Sequence, residues 1–505
     1  MHWVSKGKPG LVRIGLFNLA LRLLASPISF LFSLVVARYL SIISVETFGA
    51  WQFIFVIITG YFTIPSNLLS SITSRYTAEG KPVGGIVIIN MIISLFSLVI
   101  YIALTPFLVS ISHYDEPFYF YLGSLLILMM YTLNAFNSIS QGRSPRVTTI
   151  ASLIFQSVRL GVALYGLIIL RLSIEAVILA YVLGYVAQTA INAFFVNANL
   201  KIDFHVAFSA LRKAVVFIIP YVQYILEATL TWVAVLLVRN TVPISYFESA
   251  LIISNLIVWS TSSYSGLILK LSESKDPSLI ETSIKLFSLS GSFFLLLALT
   301  DGLPLLFVLR PEYTAAYSAL IILSVSNLLR GYFQLFYTSV YMKDQTLDTE
   351  SREELKGALA KLSKQNAVLS SLGVGASILV MVALSVLHIY DPVSYSLAIS
   401  SGLLINSILI LISSFKSSKE LYTFRIPKAD SFVPPLSSII IGLAFSLYPV
   451  TPIHGANLIH DFMIMFYRAV IALIPFVTIN LAFTGYTRQL LRKGLEILTE
   501  LSIHF

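Results

Sequence analysis

Long apolar stretches recur along the whole chain, separated by short polar segments. Each stretch reaches about the 20 residues that an α-helix needs to cross the hydrocarbon core of a bilayer. The pattern predicts an all-α polytopic membrane protein with short loops. Fourteen spans are predicted, at residues 11–40, 46–72, 84–110, 117–139, 147–170, 174–196, 214–238, 246–269, 286–309, 314–340, 366–388, 393–414, 432–449 and 464–485.

The composition narrows the class of protein further. Of the 505 residues, 57% are hydrophobic and 11% are charged, whereas soluble domains carry about 25% charged residues. This excludes a soluble enzyme, a disordered chain and a coiled coil. Because the chain has no cysteine, disulfides, thiolate metal sites and Fe–S clusters are excluded too. Nucleotide-binding, metalloprotease and hydrolase motifs are lacking, so we expect a non-enzyme without a cofactor.

The loop charges predict the orientation in the membrane. With fourteen spans both termini lie on one side, and the loops of that side carry 25 Lys and Arg against 4 on the other. The positive-inside rule therefore places both termini in the cytoplasm. We expect the protein to lie in the plasma membrane. The net charge of +9 is then a topology signal, and we expect no nucleic acid as a partner because no soluble basic face exists.

Helix spacing predicts an internal repeat. Arg38 and Arg239 close spans 1 and 7, and Gly84 and Lys285 lie near the start of spans 3 and 9, at the same sequence offset. We therefore expect an N-terminal six-helix lobe (residues 1–200), a second six-helix lobe (201–415) and two additional helices with a tail (416–505). Parallel repeats of this kind place a substrate site between the halves and move by rocking.

The longest cytoplasmic loop, residues 341–365, carries Leu355, Leu359 and Leu362 at helical spacing. This spacing predicts a short amphipathic helix. It is either a solvated connector or a helix that binds a partner, and the sequence leaves both open. Pro27, Pro65 and Pro220 lie within spans and are candidate hinges or static kinks.

Ionisable side chains inside the spans are the candidate functional residues, because a charge at the bilayer centre costs at least about 2.5–3.5 kcal/mol on insertion scales. Four arginines exceed two acids, so an anionic ligand would neutralise the surplus. The candidate substrate-binding residues are Arg22, Arg159 and Arg330. Glu227 is either a coupling site for a cation or proton or an ion-pair partner of an arginine. The six residues are Arg22, Arg159, Arg330, Arg468, Glu227 and Asp301.

The remaining intramembrane polar residues have two interpretations. Asp301 and Arg468 lie in the outer thirds of spans 9 and 14, where a structural or interfacial role is expected. Amides such as Asn67, Asn134 and Asn137 could bind a sugar or join neighbouring helices. Arginine stays charged and binds phosphate with two parallel hydrogen bonds, so a phosphate-bridged lipid suits the arginine surplus.

Three segments resemble the polysaccharide flippases of the multidrug, oligosaccharidyl-lipid and polysaccharide exporter superfamily. They are the first hairpin LVVARYLSIISVETFGAWQFIF (34–55), the basic exit SRYTAEGK (74–81) and the outer connection LRPEYTAAYSALIIL (309–323). The sequence departs from the family at Thr231–Ala234, where an acid is often found, and at 266–273, which lacks a common proline. The resemblance implies transport of a lipid-linked oligosaccharide between leaflets by alternating access.

We therefore expect a flippase for a polyprenyl-phosphate or diphosphate oligosaccharide that serves cell-surface glycan assembly. Arg22 would meet the phosphate, with Arg159 and Arg330 assisting. A cation-coupled multidrug exporter of the same superfamily and a membrane glycosyltransferase remain as alternatives. Membrane potential, ion coupling through Glu227 and downhill flow are all open as driving forces. Expected partners are membrane lipids and the glycosyltransferases or polymerase of the pathway, and we expect a monomer.

Overall fold

The computed structural model describes residues 11–196, 198–214, 218–264, 271, 276–343, 357–447, 458–492 and 496. The side chains of residues 11–20, 22, 23, 458 and 459 are outside this description. The described part contains helices and no strand, and fourteen of its helical segments are long and apolar enough to cross a membrane. The predicted all-α fold and the predicted number of spans are confirmed.

By its contacts the chain divides into two compact units, Met1–Ser245 and Tyr246–Phe505. The division falls one span later than residue 200, where the sequence repeat places its boundary. The six-helix repeat and its lobes at 1–200 and 201–415 stay a prediction.

The first unit contains nine helices and two π-helical turns within its described residues. The helices are α1 (Leu11–Ile43), α2 (Val45–Ile57), α3 (Ile64–Ala78), α4 (Gly84–Ser112), α5 (Pro117–Arg143), α6 (Pro145–Leu164), α7 (Ile174–Phe195), α8 (Phe204–Ala214) and α9 (Ile218–Val238), and the π-turns are Ile58–Phe62 and Tyr165–Ile169.

The second unit begins within α10 by contacts. Its helices are α10 (Val242–Ser254), α11 (Ser278–Leu309), α12 (Tyr317–Lys343), α13 (Ala358–Val386), α14 (Pro392–Leu421), α15 (Lys428–Leu447) and α16 (Leu458–Phe483), and its 3₁₀ segments are Asn255–Thr261 and Pro311–Ala316.

Small residues let α9 and the start of α10 pack closely against α2 and its π-turn in the first unit. A Cβ at Gly49 would lie 2.2 Å from the Thr241 carbonyl oxygen, and one at Gly60 would lie 2.5 Å from the Ala228 Cβ. Ser245 Oγ donates to the Val45 carbonyl at 2.5 Å. A side chain larger than glycine would separate these helices, so the sequence determines how closely they approach.

The π-turn at Ile58–Phe62 interrupts the second span, and α3 begins shortly after it at Ile64, with Pro65 in its first turn. Pro27 and Pro220 lie inside α1 and α9, which continue through them. The sequence analysis named Pro65 as a candidate hinge or static kink, and no feature of the sequence indicated the π geometry. The π-turns add a residue to the hydrogen-bonded ring, a feature often found at functional positions.

Helix α8 is a surface helix that the sequence analysis did not predict. Its Ala207 and Ala210 are buried against α3 and α4, whereas Phe204 and Phe208 are 49% and 62% exposed. Arg212 and Lys213 close its last turn. Exposed aromatic residues beside basic ones are typical of a helix that lies at the membrane interface.

The predicted amphipathic helix in the 341–365 loop needs a correction. Leu355 lies outside the described residues, but Leu359 and Leu362 belong to the first turns of the membrane span α13. Both are buried, and they pack with Val340 of α12. Their spacing reflects the core-facing side of a long span. This span begins earlier than its hydropathy indicates, because its first two turns also carry lysine and serine.

The last two spans pack on α11 in the second unit. Ser288 Oγ of α11 donates to the Ser431 carbonyl at 2.9 Å, and Ser438 Oγ of α15 donates to the Ser292 carbonyl at 2.6 Å. A Cβ at Gly442 would lie 2.5 Å from the Leu299 Cβ. Serine-to-carbonyl bonds and a glycine contact bring these helices together where an apolar environment gives little reason for association.

Candidate functional site

The predicted arginines have different surroundings. Arg22 lies within helix α1, but its side chain is outside the described residues, so its predicted contact with phosphate stays a prediction. Arg159 is buried in the first unit, with 6% of its surface exposed. Arg330 is half-buried in the second unit. The structure therefore describes two of the three predicted substrate-binding side chains.

Three aromatic rings enclose Arg159, near the middle of the span Pro145–Ile169. Its guanidinium carbon lies 3.9 Å from the Phe32 ring centre, 4.8 Å from the Tyr181 ring centre and 4.9 Å from the Phe155 ring centre. Each aromatic face attracts the cation, more strongly where water is excluded. We call Phe32, Phe155 and Tyr181 the aromatic cage.

The hydrogen bonds of Arg159 are to neutral groups. Its Nη2 donates to Gln156 Oε1 at 2.5 Å and to Ser29 Oγ at 3.1 Å, and its Nε is buried without a hydrogen-bond partner. Among the described residues no carboxylate forms an ion pair with it. The guanidinium therefore keeps its positive charge uncompensated inside a membrane span.

A polar network joins the π-turn at Ile58–Phe62 to α9. Tyr61 Oη lies 2.9 Å from Thr229 Oγ1 and accepts a hydrogen bond from Trp232 Nε1 at 3.0 Å. It also lies 3.4 Å from the Ile225 carbonyl oxygen, to which it can donate. The sequence analysis missed Tyr61, because a tyrosine in an apolar run gives no signal until the π-turn presents it to another helix.

Glu227 lies one turn from this network on α9. Gln223 Nε2 donates to Glu227 Oε1 at 3.1 Å, and the Glu227 side chain is half-buried. Glu227 forms no ion pair with Arg159, which was one of the arginines considered as its partner. The coupling role stays a prediction.

Arg330 binds the neighbouring helix of the second unit. Its Nε donates to Ser407 Oγ of α14 at 3.1 Å, and Ser407 Oγ also lies 2.8 Å from Ser326 Oγ. This contact fixes one edge of the guanidinium to α14. Its predicted role with the substrate is not tested by these contacts.

Asp301 and Arg468 form the structural pair that their positions suggested. Arg468 Nε lies 3.7 Å from Asp301 Oδ1, and its Nη2 donates to the carbonyls of Thr300 at 3.2 Å and Phe445 at 3.3 Å. The pair joins α11 to α16, with both side chains nearly buried. Arg468 is thereby neutralised and does not contribute to a surplus of positive charge.

The intramembrane asparagines bind one another. Asn134 Nδ2 donates to Asn67 Oδ1 at 2.8 Å, Asn192 Nδ2 to Asn137 Oδ1 at 3.5 Å, and Asn327 Nδ2 to Asn255 Oδ1 at 3.2 Å. Of the two interpretations of these amides, the contacts support the one in which they join neighbouring helices.

Glu248 is an acidic residue that the sequence analysis did not single out. The structure buries it in α10, with 8% of its surface exposed. Its position three residues into a predicted span concealed this burial. An acid without an ion-pair partner in the described residues is a second candidate coupling group beside Glu227.

Solved structures with this fold include transporters and a flippase. The lipid II flippase MurJ superposes with a TM-score of 0.66 at 12% identity, over 94% of this chain and all of that one. An inward-facing multidrug resistance MATE transporter of the MOP superfamily gives a TM-score of 0.57 at 13% identity, over 80% of this chain and 98% of that one. The eukaryotic MATE transporter AtDTX14 gives 0.52 at 11% identity, over 82% of this chain and all of that one.

The chain has the fold of these transporters and of this flippase. This fold agrees with the superfamily that the three sequence segments resemble. No protein-family model matches the chain, and no curated protein matches it in sequence. The similar structures are a flippase and transporters, and the expected absence of catalysis stays a prediction.

Proposed function

We propose that this membrane transporter is a flippase that moves a polyprenyl-phosphate or diphosphate oligosaccharide from the cytoplasmic to the outer leaflet. The observation that carries the proposal is Arg159, a buried cation near mid-span with no carboxylate partner among the described residues. A phosphate carries the opposite charge to this arginine, and in a lipid-linked sugar the phosphate is attached to a membrane lipid. The oligosaccharide would serve cell-surface glycan assembly.

We assign the following roles to the individual residues. Arg22 meets the phosphate, and Arg159, held in place by its aromatic cage, supplies a fixed positive field. Arg330 is a further substrate-binding residue, and Glu227 is the coupling group if an ion gradient drives transport. The protein acts as a monomer in the plasma membrane with both termini in the cytoplasm, and the glycosyltransferases or polymerase of the pathway supply or consume the substrate.

Two features favour this substrate over a cationic drug. The likeness to the lipid II flippase extends over 94% of the chain, whereas the MATE transporters match 80–82%. An uncompensated arginine would also repel a cationic drug. A multidrug exporter remains the second candidate function because the MATE transporters have the same fold.

The test is transport in vesicles that contain the purified protein and a fluorescent lipid-linked oligosaccharide. A membrane-impermeant reductant quenches only the label in the outer leaflet, so movement between leaflets is read as a change in the protected fraction. We expect Arg22→Gln and Arg159→Gln to slow this movement at least tenfold, because each removes a cation from the phosphate path. Arg143→Gln, which removes an exposed arginine at the end of α5, is the matched control.

Each alternative gives a different result in the same vesicles. Unchanged movement in both arginine variants would contradict the phosphate assignment. Efflux of an organic cation without lipid movement would make the protein a drug exporter. Formation of a new glycosidic bond would make it a glycosyltransferase.

A further inference from the structure

A pocket of about 490 Å³ lies between α13 and α14, at the end of these helices that the loop charges place in the cytoplasm. Its volume is in the range of small-molecule sites. Its lining is mostly polar toward the helix ends and apolar toward the membrane centre. The lining residues are Lys361, Lys364, Gln365, Val368, Leu369, Ser413, Lys416, Ser417 and Glu420.

The pocket lies beyond the closest approach of the two helices. A Cβ at Gly402 would lie 2.3 Å from the Ser377 Cβ, and one at Gly373 would lie 2.9 Å from Asn406. Ser377 Oγ donates to the Ala398 carbonyl at 2.8 Å in the same region. The helices are thus in tight contact toward the membrane centre. They separate at their ends, where lysines rather than glycines face the pocket.

Three lysines line this pocket, so its lining carries a surplus of positive charge. Lys361, Lys364 and Lys416 are exposed, and among the described residues none of them forms an ion pair. Glu420 is the single acid in the lining. Lysines that converge on one site repel one another, so an anion bound between them would be stabilised. Basic pockets between spans on the cytoplasmic side are where lipid headgroups bind.

The depth of the pocket matches the headgroup layer. Residues 365–387 of the α13 span and 392–415 of α14 carry no Asp, Glu, Lys or Arg, and each stretch is about the length that crosses the hydrocarbon core. Lys364 and Lys416 stand at the same boundary of these two stretches. The lysines are therefore level with lipid phosphates.

An apolar path leads from the pocket into the membrane. Val368, one turn below Lys364, is 63% exposed, and Leu372, a further turn below, is 60% exposed. Ser413 Oγ in the opposite wall is buried without a hydrogen-bond partner and is available to a phosphate or glycerol oxygen. A ligand with an anionic head and an apolar tail complements this arrangement.

We propose that the pocket between α13 and α14 binds an anionic glycerophospholipid, with the phosphate held by Lys361, Lys364 and Lys416 and the acyl chains lying along Val368 and Leu372. A soluble anion would make no use of the apolar path. The site is distinct from the intramembrane arginines, and its occupancy does not depend on which substrate is transported.

The experiment is native mass spectrometry of the purified full-length protein titrated with phosphatidylglycerol or phosphatidylcholine. We expect preferential binding of phosphatidylglycerol and at least a tenfold loss of apparent affinity in the variant Lys361→Gln, Lys364→Gln, Lys416→Gln, since each lysine near the surface changes the affinity about fivefold. The matched control carries Lys201→Gln, Lys419→Gln and Lys428→Gln, which are exposed lysines outside the pocket.

Three results would overturn the proposal. They are equal binding by the pocket variant and the wild type, displacement of the lipid by an equal concentration of glycerol phosphate, and stronger binding of a polyprenyl phosphate than of phosphatidylglycerol. Glycerol phosphate would indicate a site for soluble anions, and the polyprenyl phosphate would make the pocket part of the substrate path. If the triple variant does not fold, Lys416→Gln against Lys419→Gln makes the same comparison, with a severalfold effect expected.

Discussion

Arg159 illustrates how a membrane protein can hold a cation without a carboxylate. Its charge faces three aromatic rings, and two neutral oxygens accept its hydrogen bonds. A carboxylate would bind the guanidinium more strongly but would cancel the charge. The aromatic cage stabilises the position of the arginine and leaves its field available to a phosphate. Arginine suits this site better than lysine because its flat guanidinium can lie against a ring.

At Glu227 the prediction concerns the driving force. Glu227→Gln keeps the size of the side chain and an oxygen for Gln223, but it cannot ionise. If a cation or proton gradient acts through this residue, the variant should transport at a rate that no longer responds to the gradient. Transport in vesicles with and without an imposed gradient measures this.

The control for Glu227 is Glu46→Gln, which removes an exposed acid at the start of α2. It should keep the gradient response of the wild type. A Glu227→Gln variant with unchanged gradient dependence would remove this residue from the coupling mechanism and leave Glu248 as the buried acid to test.

Single residues were the least predictable feature of the site. The sequence identified Arg159 as an intramembrane charge, because a charge in an apolar run is visible without a structure. It did not reveal Phe32, Phe155 and Tyr181 as its cage, since aromatic residues are frequent in every span. Glu248 was missed because hydropathy locates the end of a span only to within a few residues.

At the scale of helices, glycine contacts determine the packing of the first unit. Gly49→Ala would place a methyl group 2.2 Å from the Thr241 carbonyl oxygen and 2.6 Å from Ser245 Oγ. Since backbone lies on one side of this contact, the helices must move apart, at a cost of about 1–3 kcal/mol. We expect a lower melting temperature of the purified protein, measured by differential scanning fluorimetry.

Gly161→Ala is the matched control for this substitution. Its Cβ would have no atom within 4 Å, and alanine is the better helix former by about 1 kcal/mol. The melting temperature should therefore stay the same or rise. Equal destabilisation by both substitutions would show that contact at Gly49 does not limit stability.

The Asp301–Arg468 pair makes a second prediction about helices. Asp301→Asn or Arg468→Gln alone leaves a nearly buried charge without its partner, which typically costs about 3–5 kcal/mol. The double variant removes both charges and should be more stable than the sum of the single effects predicts. A double-mutant cycle of melting temperatures measures the coupling, and strictly additive effects would show that the 3.7 Å contact contributes nothing.

The length and order of the spans followed from the sequence, but two local features did not. Fourteen spans could be predicted because apolar length is a direct requirement of the bilayer. Helix α8 was missed because it is short and lies between two spans, where its exposed Phe204 and Phe208 read as part of a loop. The predicted helix at Leu359 and Leu362 was wrong as a separate element, because helical spacing alone does not show where a span begins.

For the whole molecule, the proposed direction of transport depends on the unequal distribution of Lys and Arg between the loops of the two sides. A salt-bridge cluster illustrates the basic side. Lys81 and Arg75 lie 2.7 Å and 2.9 Å from the Glu79 carboxylate and lower its pKa. Labelling of intact cells tests this orientation directly.

The absence of cysteine makes this experiment clean, because each introduced cysteine is the single thiol of the chain. Asp115→Cys and Tyr390→Cys place a thiol in exposed loops of the predicted outer side, one in each unit. Lys201→Cys and Lys428→Cys place one at exposed positions of the predicted inner side. We expect a membrane-impermeant maleimide to label the first pair in intact cells and the second pair only after permeabilisation.

The pattern of labelling separates the orientation from the number of spans. The reverse pattern for all four thiols would keep fourteen spans but invert the protein, and the phosphate of the substrate would then enter from the outer leaflet. A mixed pattern, in which Asp115→Cys and Tyr390→Cys differ, would mean that the two units do not share one orientation. Parallel repeats would then be excluded, and with them the rocking mechanism that a site between two like halves requires.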